Sequence, residues 1–200
     1  MPYLTSAFRA GWRHHLWLAL LIGASLAFTF GFACAVPFAA FGAIAAMTLP
    51  RRDALLLTVA LWLVNQIVGF GFLPYPWDGT TLAWGAILGG IAVLSTAAAQ
   101  AVIRRQGIIV MAVMSFAAAF IVYEGGLYLI SATVMGGAED FAAMIVIRIL
   151  EINAAGFVVL LAAGLLAGRT TGDRAVCMVA QSERPRLPGS GTAQRFPRRA

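Results

Sequence analysis

Charge is scarce in this chain: 11% of its 200 residues are Asp, Glu, Lys or Arg, against 61% hydrophobic residues. With a mean hydropathy of +0.87, that balance excludes a soluble globular domain and describes a polytopic membrane protein. Lysine is missing, so all fourteen basic residues are arginine, and no mechanism follows from that choice. Cysteine is nearly missing too. Cys34 and Cys177 form no CxxC and have no metal-site spacing, and the topology derived below puts them on opposite sides of the membrane, which excludes a disulfide within one chain. His14 and His15 are adjacent rather than four apart, and beside Trp17 they read as interfacial residues, not ligands. No GxxxxGK[ST], HExxH or GxSxG occurs, which excludes nucleotide hydrolysis by a P-loop and the familiar hydrolytic centres. No catalysis, metal or cofactor is expected.

What is present is length in apolar form. Runs at Leu16 to Leu49, Ala54 to Leu73, Leu82 to Ile103, Ile108 to Val134 and Phe141 to Gly168 are separated by short polar breaks. The first run is too long for one span of about 20 residues and too short for two full ones. Pro37 divides it, because proline suits the first turn of a helix and disrupts the interior. The expectation is an all-α bundle of six transmembrane helices, the first over Leu16 to Gly31 and a short second over Val36 to Leu49. About 14 residues at about 1.5 Å each give the second helix roughly 21 Å, short of a hydrocarbon core of about 30 Å. The Gly31 to Ala35 connection then lies at a depth where irregular backbone needs protein or a watered cavity around it, or a locally thinned bilayer.

The arginines fix an orientation. Arg9 and Arg13 precede the first helix, Arg51 and Arg52 follow the second, Arg104 and Arg105 follow the fourth, and seven arginines follow Gly168. With six crossings all of them lie on the cytoplasmic side, and both termini are cytoplasmic. The opposite breaks hold Asp78, Glu139 and Asp140 and no basic residue. Arg9, Arg13, the apolar run and the Ala33 to Ala35 triplet also have the layout of a secretory signal peptide, but the basic segment is long and the apolar run continues past that cut. Residues 1–168 are thus expected to form the transmembrane domain of a multi-pass protein of a bacterial inner membrane. Residues 169–200, rich in Pro, Gly, Ser and Arg, read as a disordered basic tail attracted to anionic lipid headgroups rather than to nucleic acid.

Inside the spans, polar groups are rare enough to mark a site. A charge at the bilayer centre costs at least about 2.5 kcal/mol on insertion scales, so such residues normally face a bundle interior or a cavity. Glu124, Arg148 and Glu151 are expected at similar depth in the last two helices, with Arg148 and Glu151 on one face and Asn153 on nearly the opposite one. We assign the three charges to a cavity and Asn153 to packing. Trp62, Asn65 and Gln66 on the third helix, Trp84 on the fourth and Tyr128 on the fifth complete a pocket with aromatic walls and a few polar groups, the usual composition of a small-molecule site. A competing reading makes Trp77 and Trp84 interfacial belt residues and the charged layer a device fixing helix register. Ala19, Gly23, Ala27 and Gly31 recur every four residues on the first helix, and Gly85 with Gly89 forms a GxxxG on the fourth.

Six helices in about 170 residues, the proline-initiated second helix in VPFAAFGAIAAMTLPRRDALLL with its tight basic turn, and the small-residue face of the first helix together resemble the substrate-binding S components of energy-coupling-factor vitamin transporters. The resemblance implies a subunit that captures a small organic nutrient, a vitamin or its precursor, and docks through Ala19, Gly23 and Ala27 on a transmembrane T component driven by two ATPases. The loop between the first two helices is much shorter here than the substrate-capping loop of that family, and PYPWDGT could replace it. Two other classes remain open: a gradient-driven transporter in which Glu124 and Glu151 relay protons or cations, and an assembly or scaffold subunit in which the charges only fix packing.

Overall fold

The structure, a computed structural model, describes residues 11–32, 36–103, 107–137 and 141–170. Arg9, Cys34, the Ala33 to Ala35 triplet, Arg104, Arg105, Glu139, Asp140, Cys177 and the tail beyond residue 170 lie outside them. Among the described residues there are six helices and no strand. They are α1 (Gly11–Phe32), α2 (Phe38–Thr48), α3 (Arg51–Gly71), α4 (Gly79–Val102), α5 (Ile108–Ile130) and α6 (Ala143–Thr170). Five are long and apolar enough to cross a membrane, and α2 is the short exception.

Local chemistry sets the ends of these helices. Pro37 stands at the N-cap of α2, where no side chain of its own segment caps the helix. At the other end Leu49 is extended (φ −117°, ψ 154°), because a residue followed by proline is pushed out of the helical region, and Pro50 then opens α3. That exclusion makes the turn between α2 and α3 only two residues long. Asp78 caps α4: its Oδ1 accepts the backbone N–H of Thr81 at 2.8 Å and its Oδ2 accepts the Thr81 hydroxyl at 3.0 Å. These bonds, the backbone one foremost, hold the Asp78 carboxyl below its ordinary range. α5 runs on into a π-helical turn, Ser131–Met135, in which the Ser131 hydroxyl donates to the carbonyl of Gly136. Gly136, at φ 76°, lies in the left-handed region that a side chain would resist, which allows the reversal toward α6.

The organising feature is α2. All of its 11 residues are buried, and it packs against α3, α4, α5 and α6, with α1 joined through the indole of Trp17, whose Nε1 donates to the Thr48 hydroxyl at 3.1 Å. Its sequence FAAFGAIAAMT explains the position, since five alanines and one glycine make a thin cylinder that four longer helices can approach. At Gly42 the approach is close, for an added Cβ would lie 2.7 Å from Thr96 Oγ1. The Thr96 hydroxyl itself is 2.8 Å from that of Thr58, tying α3 and α4 together beside α2. Where apolar lipid replaces water, such packing and interhelical hydrogen bonding, rather than exclusion from water, must hold the bundle.

Helix faces follow from four-residue rows. On α1, Trp17, Leu21, Ser25 and Thr29 are buried, while Ala19, Gly23, Ala27 and Gly31 lie exposed, with open space around the Cα of Gly23 and Gly31. On α4 the GxxxG faces inward: Gly85 lies against Gln66, and Gly89 lies against the indole of Trp62.

Candidate functional site

Asn153 is 1% exposed and joins α6 to the head of α2. Its Oδ1 accepts the backbone N–H of Ala40 at 3.2 Å, and its Nδ2 donates to the carbonyl of Ile149 at 3.0 Å. Ala40 lies in the first turn of α2, whose N–H groups have no partner within the helix. Because the Pro37 ring carries no hydrogen-bond acceptor, Asn153 supplies a cap to Ala40 from a neighbouring helix.

The same level of the bundle holds a carboxylate. Tyr123 packs on Phe38, the first residue of α2, with ring centroids 6.1 Å apart, so Glu124 is displaced from that contact by only about 1.5 Å along α5. Glu124 is 7% exposed, and its Oε2 is hidden from solvent with no hydrogen-bond partner. A buried oxygen in that state carries a desolvation cost that a donor from outside the chain, or a proton, would relieve. The positive end of the α2 dipole lies at the same level, which favours negative charge there.

Amides gather on the α3 side. Asn65, buried, has its Nδ2 3.5 Å from the Thr29 hydroxyl, and the half-buried Gln66 donates from Nε2 to Asn65 Oδ1 at 3.4 Å. Both contacts are long, which leaves these amides able to turn to a better partner. Trp62 is committed elsewhere: its Nε1 donates to the carbonyl of Gly85 at 2.7 Å and its ring fills the space above Gly89. Trp84 is half-buried and packs on the core. Tyr128 is 50% exposed and meets Phe141 edge-on, with centroids 5.5 Å apart.

Arg148 and Glu151 do not join Glu124 in the interior; both are exposed. The reason is rotational. Asn153, Gly156, Phe157, Leu160 and Gly164 form the buried arc of α6. At 3.6 residues per turn, Arg148 lies about 140° and Glu151 about 160° round the helix from Asn153. No ion pair joins either to another described residue. At the Arg51 end of the bundle His14 Nε2 is 3.9 Å from Asp53 Oδ2, in an open cleft also lined by Gly11, His15 and Pro50.

Two groups described here were not singled out from sequence, Tyr123 beside Glu124 and Thr29 beside Asn65. Thr29 had a signal in the four-residue row from Trp17 to Thr29, which opposes the small-residue face; Tyr123 had one only as the neighbour of Glu124. Comparison of the chain with protein-family models, with curated proteins and with solved structures finds no match.

Proposed function

We propose that the protein is a substrate-capture subunit for membrane uptake of a small organic nutrient, held at the head of α2. The observation that carries this reading is Glu124, a carboxylate more than nine-tenths buried with one oxygen unpartnered, level with the start of a half-length helix. Helices that begin partway through a bundle and an ionisable residue beside them are recurrent features of transport sites. The ligand chemistry that Glu124 calls for is a hydrogen-bond donor or a protonated amine. The exposed Ala19, Gly23 and Ala27 row supports docking of a separate coupling subunit that carries the energy source, as the resemblance to S components implies. In this reading the Arg51 end is cytoplasmic, both termini are inside, and the Asp78 end faces out.

The test is a thermal-shift screen of amine-bearing and amide-bearing nutrients on the purified protein and on Glu124→Gln. A compound should raise the melting temperature of the wild type and fail to raise that of the variant, whose own melting temperature should be unchanged or higher because the buried charge is gone. A compound that stabilises both equally would remove Glu124 from the site, and a screen with no stabilising compound would argue against capture of this class.

A second reading, an assembly subunit, is favoured by one observation: Arg148 and Glu151 lie on an exposed face within an apolar helix. It predicts that partner proteins rather than small molecules stabilise the chain.

A further inference from the structure

We propose that two copies of the chain pair through the exposed face of α6, with Arg148 of each copy meeting Glu151 of the partner subunit. Arg148 and Glu151 stand five and eight residues from Ala143, the first residue of α6, or roughly 8 and 12 Å along it. Both are exposed, and the helix that carries them is apolar over Ala143–Ala167. Arg148 is long enough to extend back toward headgroups at the near end of α6. Glu151 is shorter and deeper, and lipid offers it no counter-charge. Pairing the two within one helix is the weaker geometry, because the favourable order on a helix places the acid N-terminal to the base. It would also leave the pair facing acyl chains.

The face around them has the spacing of a helix seam. Met144, Arg148, Glu151, Ala155, Val158 and Ala162 are all exposed and follow each other at intervals of four, three, four, three and four. That is a period of 3.5, the repeat of two helices crossing at about 20° in a left-handed sense. Ala155 and Ala162 leave room for the axes to approach. Copies inserted the same way in one membrane can be related only by an axis along its normal, so the two α6 helices run parallel and like residues share a layer. Arg148 and Glu151 then occupy adjacent layers about 4.5 Å apart. Two arginines and two glutamates neutralise each other across the axis, so the surface is complementary to itself. This pairing does not depend on the reading of Glu124, and Glu124→Gln should leave it unchanged.

Charge reversal tests it. Differently tagged copies are co-expressed, purified in lipid nanodiscs and scored for mixed pairs and for subunit number by stepwise photobleaching. Wild type should be dimeric. Arg148→Glu alone gathers four acids at the seam and Glu151→Arg alone gathers four bases, so each should self-associate at least about tenfold more weakly. Co-expressed, these two variants should pair with each other, and the double variant R148E/E151R should recover self-association. A monomeric wild type, or single reversals that dimerise as well as it does, would overturn the proposal. Should the reversals fail to fold, Ala155→Cys in a Cys34→Ser, Cys177→Ser background decides: oxidation should cross-link it, whereas Ile121→Cys, on exposed α5, should stay monomeric. Equal cross-linking at both positions would overturn the proposal as well.

Discussion

Replacing Asn153 isolates the contact that seats α2. Asn153→Leu keeps the number and branching of side-chain heavy atoms in a position 1% exposed, so no cavity forms although the methyls are bulkier, and it removes the acceptor for the Ala40 N–H. An interhelical hydrogen bond in a membrane protein contributes about 0.6 kcal/mol on average and at most about 1.7. Leaving a buried donor unpaired costs about 1–3 kcal/mol. Ala40 is 0% exposed, so neither lipid nor water can replace the lost oxygen, and a loss of about 1–2 kcal/mol is expected. Asn153→Ala adds an unfilled volume beside Ala40 and should cost about 1 kcal/mol more. The assay is equilibrium unfolding in mixed micelles with increasing denaturing detergent, read by tryptophan fluorescence. A stability of Asn153→Leu within about 0.3 kcal/mol of wild type would refute the inter-helix cap, because surface-like tolerance is incompatible with a buried unpaired N–H.

Gly89→Ala should destabilise by about 1–3 kcal/mol, since the added Cβ would lie 2.6 Å from Trp62 Cε2 and the indole is pinned by its bond to Gly85; a blue- or red-shifted tryptophan emission should accompany the loss. Gly23→Leu, on an open face, should fold with stability within about 0.5 kcal/mol of wild type yet fail to co-purify with a coupling subunit; a damaged fold would place that face inside a packed interface of this chain. The carboxyl of Asp78 has its folded-state pKa lowered by the Thr81 bonds, so its contribution is fully present above the ordinary value of 3.8 and disappears as pH falls through the lowered one. Thermal melts of wild type and Asp78→Asn should therefore diverge least at the acid end of that window, and a constant difference across it would contradict the assignment.

Much of this fold is readable in sequence because bilayer-length apolar runs and prolines act locally. Pro37 and Pro50 bound α2 by fixing backbone angles, and the Gly136 to Gly137 reversal follows from permissive glycines; none of these needs tertiary information. Depth relative to α2 comes instead from a tertiary contact: Tyr123 packs on Phe38, which sets Glu124 about level with the head of α2. Rotation is not readable locally either. In a span that is apolar all round, hydrophobic periodicity hardly distinguishes inward from outward, so Arg148 and Glu151 were assigned to a cavity although Asn153 and the row below it turn them outward. The better signal was the row of small and polar residues, Asn153, Gly156 and Gly164, which marks contact with another helix where leucines do not. The same rule explains why the GxxxG of α4 became a seat for Trp62 while the similar row on α1 stayed open.

The most direct test of the central claim, that Glu124 is the polar anchor of a ligand site at the head of α2, is its reactivity toward a membrane-permeant carbodiimide, followed by peptide mass spectrometry. Glu124 should be modified in the ligand-free protein. A compound that raises the melting temperature should protect Glu124 from that modification. Equal labelling of Glu124 with and without that compound would contradict the account.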